Sequence, residues 1–178
     1  MDSHADTIVA EKNCVVLNYT GKECDVSTFS DNCGTIENAH LSRVATVWQS
    51  RDTAQTYTLV MNEALWICDS IESTLIDRNQ LRHYGMHIQD DPSSTIPLPM
   101  ISEDTEFAMA LEREGTIVYT NTHTPTQKEL QTYPHIVISF ENSWNPMKVH
   151  FDENCHLSEV EVKRIRRVSY THSKNKYQ

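Results

Sequence analysis

The residues Asp2-Ser3-His4-Ala5-Asp6-Thr7 place two carboxylates four positions apart, each followed by a side chain that carries a hydroxyl group. Two carboxylates that share one proton can divide the work of hydrolysis, because one acts as base on a water while the other polarises a carbonyl group. The hexapeptide therefore predicts acid–base hydrolysis. A motif this short also occurs by chance, so the prediction depends on the rest of the chain.

Residues that often bind metals are also present, but their spacing does not favour a zinc site. The candidates are Cys14, Cys24 and Cys33, together with His40 and His4. Structural zinc sites use ligand pairs about two to four residues apart, and the gaps here are longer. Buried or half-buried thiols are the favoured interpretation of the cysteines, and we predict neither a metal nor an organic cofactor.

Two further arrangements could support hydrolysis. Asp69-Ser70 repeats the Asp-Ser pair after an apolar stretch, which would give one chain two catalytic loops, although neither Ala nor Gly follows it. Cys68 with His83 or His87 could form a Cys–His pair, since such partners need only be close in space. Both are alternatives to the hexapeptide.

The elements that must position these residues are mostly β-strands. RVATVWQ (43–49), YTLVM (57–61) and HIVISF (135–140) are rich in the β-branched and aromatic residues that strands favour. Phe107, Met109 and Leu111 alternate with smaller or polar residues, and the turn EREG then leads into TIVYTNT, which predicts a β-hairpin. The segment DDPSSTIPLP (90–99) contains three prolines and predicts a loop.

The first of two predicted helices follows Asp77. Asp77 can cap the helix with Gln80 three residues later, and Gly85 is placed to end it, so we expect a helix over 78–84.

The second predicted helix follows a threonine. Either Thr124 with Gln127 or Thr126 with Glu129 forms a capping box, and the sequence leaves both pairs open.

The formal charge of −10 on these 178 residues is unevenly distributed. Residues 163–178 contain six Lys or Arg and no acid, while the rest of the chain contains 9 bases and 25 acids, a balance of −16. Such a body repels nucleic acid. The basic end predicts a weak contact with nucleic acid through Lys163, Arg164, Arg166 and Arg167, with a solvated end as the alternative.

Five widely spaced cysteines without a signal peptide predict a reducing, intracellular and cytoplasmic location. No run of about 18 apolar residues is present, so we expect no membrane span.

Several segments together resemble the protease and pre-integrase region of copia-type retrotransposon polyproteins, in a divergent branch whose active-site loop reads Asp-Ser-His-Ala-Asp-Thr. In chain order the similar stretches are DSHADTIVAEKNCVVLNYTGKECDVS, NEALWICDSIESTLIDRNQLRHYG, MHIQDDP, TPTQKELQTYPHI and SWNPMKVHF. They extend from Asp2 to about Phe151. This co-linear set is more specific than any one of the motifs.

The resemblance implies roles for residues of two loops. Asp2 takes the place of the catalytic aspartate, and Ser3 that of the hydroxyl group that ties two loops together across a homodimer. Support of the same loop falls to His4, Ala5, Asp6 and Thr7, with His4 at a position where Gly is usual. The loop of the second half of the fold corresponds to Leu75, Ile76 and Asp77, with Asp77 again in place of Gly.

We therefore expect a mainly β fold that resembles the closed barrel of retropepsins, incomplete at the N-terminus, with two short helices and a C-terminal subregion that contains a β-hairpin. The predicted divisions are a retropepsin-like aspartic protease remnant over 1–90, a β-rich pre-integrase-like continuation over 91–157 and a basic, flexible tail over 158–178.

The function implied by the resemblance is endopeptidase cleavage of a polypeptide, for polyprotein processing, by a homodimer. No strand precedes Asp2, and a charged α-amino group one residue away would perturb its carboxylate, so we expect a truncated chain with impaired activity. The alternative is a catalytically inactive β-rich remnant that acts as a binding or structural module or has no selected function.

Overall fold

The structure, a computed structural model, describes residues 6–27, 34–67, 73–91, 93, 98–102 and 107–149. Most regular elements in these residues are strands, so the predicted mainly β class is confirmed. In chain order the elements are β1 (Val9–Ala10), β2 (Val15–Ser27), β3 (Thr35–Gln49), β4 (Thr56–Trp66), α1 (Arg78–His83), β5 (Met86–Ile88), β6 (Leu98–Ser102), β7 (Phe107–Glu114), β8 (Ile117–Tyr119), α2 (Gln127–Thr132), β9 (His135–Ser139) and a 3-10 turn at Pro146–Lys148.

β4 lies at the centre of a five-stranded sheet. β3 pairs antiparallel with one side of β4, and β2 pairs antiparallel with β3. β9 and β1 both pair parallel with the other side, β9 near the start of β4 and β1 near its end. Most residues of β4 are buried, which accounts for the apolar and β-branched content of this strand. The sheet curls into a half-barrel.

The hairpin of β2 and β3 projects beyond the rest of this sheet. β3 pairs with β4 only from His40 onward, whereas residues 35–39 of β3 face β2 alone. Most of β2 is exposed, and its pairing with β3 shifts register three times. Such irregularities protect an edge strand from unwanted pairing. The described residues of the projecting half of the hairpin are therefore mostly exposed.

β5, β6, β7 and β8 form a four-stranded antiparallel sheet in that order. Phe107, Met109 and Leu111 of β7 are buried while Ala108 and Ala110 between them are exposed, which confirms the predicted alternation. Gly115, with a φ of +60°, supplies the turn of the predicted hairpin between β7 and β8.

One hydrophobic core contains residues from both sheets. The rings of Trp48 and Tyr57 from the five-stranded sheet contact Phe107 of the four-stranded sheet, with centroid separations of 5.8 and 5.4 Å. Trp48 and Tyr57 also stack on each other at 5.9 Å. Tyr57, Leu59 and Met61 of β4 all pack in or against this core, as the sequence predicts.

Both helices lie where the capping signals predict them. Asp77 caps α1, and Tyr84 and Gly85 end it. Thr126 and Glu129 form the capping box of α2, so the structure selects this pair over Thr124 and Gln127. Neither α1 nor α2, the two helices in the described residues, has the length or the hydropathy needed to cross a bilayer.

The predicted strand limits need correction. β3 and β4 both extend beyond the predicted 43–49 and 57–61, and β2 has no counterpart among the predicted strands. Most residues added in β2 and β3 are exposed, so their strand conformation depends on pairing with a neighbour and not on burial. The residues added to β4 are mostly buried, but Asn62 and Glu63 among them are polar and do not continue the apolar pattern of 57–61.

The predicted loop over 90–99 ends too late, because Leu98 and Pro99 already belong to β6. Pro99 is tolerated since β5 ends at Ile88, so the side of β6 on which Pro99 lacks an amide hydrogen faces the irregular chain after β5. The Pro99 carbonyl on that side still accepts a hydrogen bond from the Gln89 amide at 3.0 Å.

Candidate functional site

The two loops that the resemblance singles out are only partly described. Asp2, Ser3, His4 and Ala5 lie outside the described residues, so their predicted roles stay predictions. Asp6, Thr7 and the second loop, Leu75, Ile76 and Asp77, are described. The basic residues at 163–167, proposed to contact nucleic acid, also lie outside the described residues.

β1 brings the end of the first loop beside the second loop. Val9 exchanges two backbone hydrogen bonds with Leu75, each 2.9 Å long. On the opposite side, the Leu65 amide of β4 donates to the carbonyl of Ile8 at 2.8 Å. The chain that leaves Thr7 is therefore held between the end of β4 and the residues that lead into α1.

The side chain of Gln80 holds the end of the first loop, residues 2–7, through hydrogen bonds. Its side chain has no exposed surface. Its Oε1 accepts a hydrogen bond from the Ile8 amide at 2.7 Å and lies 3.1 Å from the Thr7 hydroxyl, and its Nε2 donates to the carbonyl of Glu63 at 3.1 Å. One amide side chain on α1 thus connects the loop with β4.

Asp77 is buried and uses both carboxylate oxygens to cap α1. Oδ1 accepts from the Asn79 amide at 3.0 Å and Oδ2 accepts from the Gln80 amide at 2.9 Å. Burial raises the pKa of this carboxyl above its ordinary 3.8, and the nearby Asp6 charge raises it further, while the two amides and Arg78 oppose the rise. With both oxygens occupied, Asp77 acts here as a helix cap and not as a free base.

Glu63 occupies an unusual position on β4. Its φ is +53°, a left-handed conformation that costs a residue with a side chain about 1–2 kcal/mol. Its carboxylate is buried and pairs with Nζ of Lys22 at 2.7 Å. Its carbonyl accepts from Gln80 and lies 3.4 Å from the Thr7 hydroxyl. Glu63 therefore contacts the first loop through its backbone and the hairpin through its side chain.

The residues after β9 lie against the same loop. The indole of Trp144 donates to the carbonyl of Asp6 at 2.7 Å, and its ring packs against His83 at a centroid separation of 5.1 Å. The Tyr84 hydroxyl donates to the carbonyl of Asn142. Residues late in the chain thus help to place a loop from its start.

Sequence reasoning missed most of these supports. Gln80 was predicted only as a partner in a helix cap, and Glu63 and Lys22 were given no role beyond their place in the quoted stretches. A glutamine, a glutamate and a lysine are ordinary surface residues in a sequence, and only packing reveals that two of them are buried. The placement of NEALW and SWNP within the resemblance was the one available signal.

The described residues give little support to the alternative zinc site. Cys14 is buried, and burial raises the pKa of its thiol, but Cys24 is exposed, so the prediction of buried or half-buried thiols is wrong for Cys24. No group of three or more His, Cys, Asp or Glu that could hold a metal ion occurs among these residues.

Of the remaining residues of the alternative sites, some lie within the described residues and some lie outside them. Cys33, Cys68, Asp69 and Ser70 lie outside the described residues. His83 is buried against aromatic rings, whereas His87 is exposed on β5, so the two histidines offered as partners for Cys68 occupy different environments.

Comparison of the chain with protein-family models, with curated proteins and with solved structures found no match.

Proposed function

We propose that the chain is an aspartic endopeptidase-like domain of the retropepsin type, from a copia-type retrotransposon polyprotein, and that it cleaves polypeptides as a homodimer. The proposed fold is the retropepsin-like barrel, to which the half-barrel sheet would contribute. The proposal combines the co-linear resemblance from Asp2 to Phe151 with the contacts of the described loop residues.

One observation carries most of the proposal: the last residue of the DSHADT motif and the two residues after it are fixed on three sides. Val9 bonds to Leu75, Ile8 bonds to Leu65 and Gln80, and Thr7 lies between Gln80 and Glu63. An acid–base pair needs a rigid support, because a small displacement of a reacting group lowers the rate steeply. Such support beside the predicted second loop is what this type of hydrolase requires.

In the proposed reaction, Asp2 from each of two subunits shares one proton. The ionised carboxylate takes a proton from a water whose oxygen attacks the scissile carbonyl carbon, while the protonated carboxyl gives its proton to the carbonyl oxygen. The C–N bond then breaks as the amine takes the proton from the first carboxyl and a hydroxyl proton returns to the second. Ser3 would support the loop through its hydroxyl group.

Asp2→Asn tests the proposal directly. We expect this variant to lose cleavage of a mixed peptide substrate by a factor on the order of 10²–10⁴, the usual contribution of an acid–base group. The matched control is Asp52→Asn, which removes an exposed carboxylate in the turn between β3 and β4 and should retain most of the activity. A statine-type peptide should inhibit the parent chain, and sedimentation should detect a dimer.

A second form of the chain, with an apolar strand added before Asp2, should be assayed in parallel because the resemblance implies a strand at that place. If both forms remain monomeric and cleave no peptide, the endopeptidase proposal is wrong. The inactive binding or structural remnant would then be the better description.

A further inference from the structure

The backbone of Glu63 has a strained left-handed conformation, which contacts with neighbouring residues must hold in place. Ser42 of β3 pairs with Ala64 of β4, and Val44 pairs with Met61, so one residue of β3 lies opposite both Asn62 and Glu63. This is a β-bulge, and Glu63 takes its left-handed conformation there. Glycine would adopt this φ without strain, so the presence of a glutamate points to a use for its side chain.

The side chain of Glu63 is held by a residue from the hairpin. Its carboxylate is 4% exposed and lies 2.7 Å from Nζ of Lys22, whose own side chain is 43% exposed. The same ammonium donates to the Ser143 hydroxyl at 3.0 Å. Lys22 follows Gly21, whose φ of +77° contributes to the irregular region of β2 between Tyr19 and Glu23.

The backbone of Glu63 connects this ion pair with the first loop. Its carbonyl accepts from Nε2 of Gln80, and Oε1 of the same Gln80 holds the Ile8 amide and contacts the Thr7 hydroxyl. Rotation of the Glu63 backbone out of its left-handed conformation would move this carbonyl. The ion pair with Lys22 therefore restrains the group that anchors the loop.

We propose that Lys22 is a positioning residue for Thr7 and Ile8, at the end of the first loop: by holding Glu63 in the bulge, it orients the Glu63 carbonyl that, with Gln80, places these two residues. The effect on peptide cleavage rests on the proposed function, whereas the effect on loop position does not. The hairpin and the loop are coupled through one ion pair, so that loss of the Lys22 charge loosens the loop without unfolding the sheet.

Lys22→Met tests this coupling through two backbone amides. The Ile8 amide, bonded to Gln80, should exchange its hydrogen about tenfold faster, a change equivalent to about 1.4 kcal/mol. The Val47 amide lies in β3, far from Lys22, and bonds to the carbonyl of His123. Its exchange rate should be unchanged. Lys22→Arg, which keeps the charge, should restore most of the protection of Ile8.

Two further variants guard against trivial explanations. Arg51→Met breaks the pair between the exposed Arg51 and the half-buried Glu112, which are 2.8 Å apart, and should leave Ile8 exchange unchanged. If Lys22→Met does not fold because Glu63 is left as an unpaired buried charge, Lys22→Met combined with Glu63→Gln removes that charge and should still accelerate Ile8 exchange.

Unchanged exchange of Ile8 in a folded variant would overturn the proposal, as would equal acceleration of Ile8 and Val47. In an active parent chain, kcat should fall for Lys22→Met with little change in KM, and Lys22→Arg should recover it. If the parent chain cleaves nothing, the endopeptidase proposal fails, while the exchange of Ile8 still decides the role of Lys22.

Discussion

Gln80 and Asp77 lie one turn apart in sequence, and both are buried polar side chains whose hydrogen-bonding groups are used. Asp77 satisfies the free amides at the start of α1, and Gln80 satisfies groups of the loop and of β4. A buried polar group without a hydrogen-bond partner costs more free energy than a typical hydrogen bond contributes. The main contribution of Asp77 and Gln80 to stability is therefore that they give buried backbone groups a partner.

Gln80→Leu should destabilise the protein strongly. The substitution leaves the Ile8 amide and the Glu63 carbonyl buried without their partner, at a cost of about 2–3 kcal/mol in the free energy of unfolding. Urea unfolding measures the change. Gln127→Leu on the exposed start of α2 is the control and should stay within about 0.5 kcal/mol; a similar small effect at Gln80 would contradict the assigned role.

Asp77 predicts a characteristic dependence of stability on pH. Because burial raises the pKa of the folded carboxyl above 3.8, the folded state binds this proton more tightly than the unfolded state does. Stability contributed by Asp77 is therefore present at low pH and is lost as the pH rises through the raised pKa. Asp77→Asn, which keeps an oxygen to cap α1, should lack this loss.

Urea unfolding of the parent chain and of Asp77→Asn between about pH 3 and pH 7 tests the predicted direction of this change in stability. The parent should lose stability relative to the variant as the pH increases. Asp6→Asn should reduce the loss, because the Asp6 charge is one cause of the raised pKa. A relative gain with increasing pH would show that burial does not dominate at Asp77.

At the scale of elements, α2 depends on local signals and α1 on tertiary contacts. α2 has no buried residue, and its capping box pairs Thr126 and Glu129 in both directions. α1 buries Gln80, Leu81 and His83. A short helix is unstable alone, so the capping box is the main support of α2, while packing supports α1.

Thr126→Ala should loosen α2 by about 1 kcal/mol. Hydrogen exchange of the Leu130 and Tyr133 amides, which bond to the carbonyls of Thr126 and Glu129, reports on this helix. Thr132→Ala removes a hydroxyl at the other end of α2 and is the control. If both variants exchange alike, the capping box does not stabilise α2.

Acid should have a similar local effect on α2. The amide and hydroxyl of Thr126, together with His123, lower the pKa of Glu129 to about 2 from an ordinary 4.5. The stability that this carboxylate contributes is present above the ordinary value and is lost as the pH falls towards about 2. A titration of the Glu129 side chain by NMR should therefore have its midpoint well below 4.5.

At the scale of the whole molecule, the two sheets share one core through aromatic contacts. Phe107 comes from the four-stranded sheet, and Trp48 and Tyr57 come from the five-stranded sheet. A shared core couples the unfolding of its parts. The residues before and after position 90 are therefore expected to unfold together.

Phe107→Ala should lower the free energy of unfolding by about 3–5 kcal/mol, because it removes a buried ring that joins the sheets. Trp fluorescence and far-UV circular dichroism should still report one transition, at a lower urea concentration. Ile117→Ala, at an exposed position of β8, is the control and should have little effect. Two separate transitions in the parent chain would contradict the shared core.

The sequence determines the features that depend on nearby residues. The alternation at 107–111, the turn at Gly115, and the caps at Asp77 and Thr126 all follow from local stereochemistry, and the structure has each of them. The resemblance also predicts that the loop at residues 2–7 lies near Leu75, Ile76 and Asp77. In the structure Val9, two residues after that loop, pairs with Leu75, and the roles assigned to both loops stay predictions.

Tertiary packing determines the rest, because it involves residues far apart in the chain. The exposed length of β2 has no pattern that distinguishes it from a loop until β3 pairs with it. In the same way, Lys22, Glu63 and Gln80 are ordinary polar residues until folding places them against Thr7 and Ile8. The described end of the hexapeptide, Asp6 and Thr7, is held by contacts with residues 56 to 138 positions away in the sequence, which no local pattern predicts.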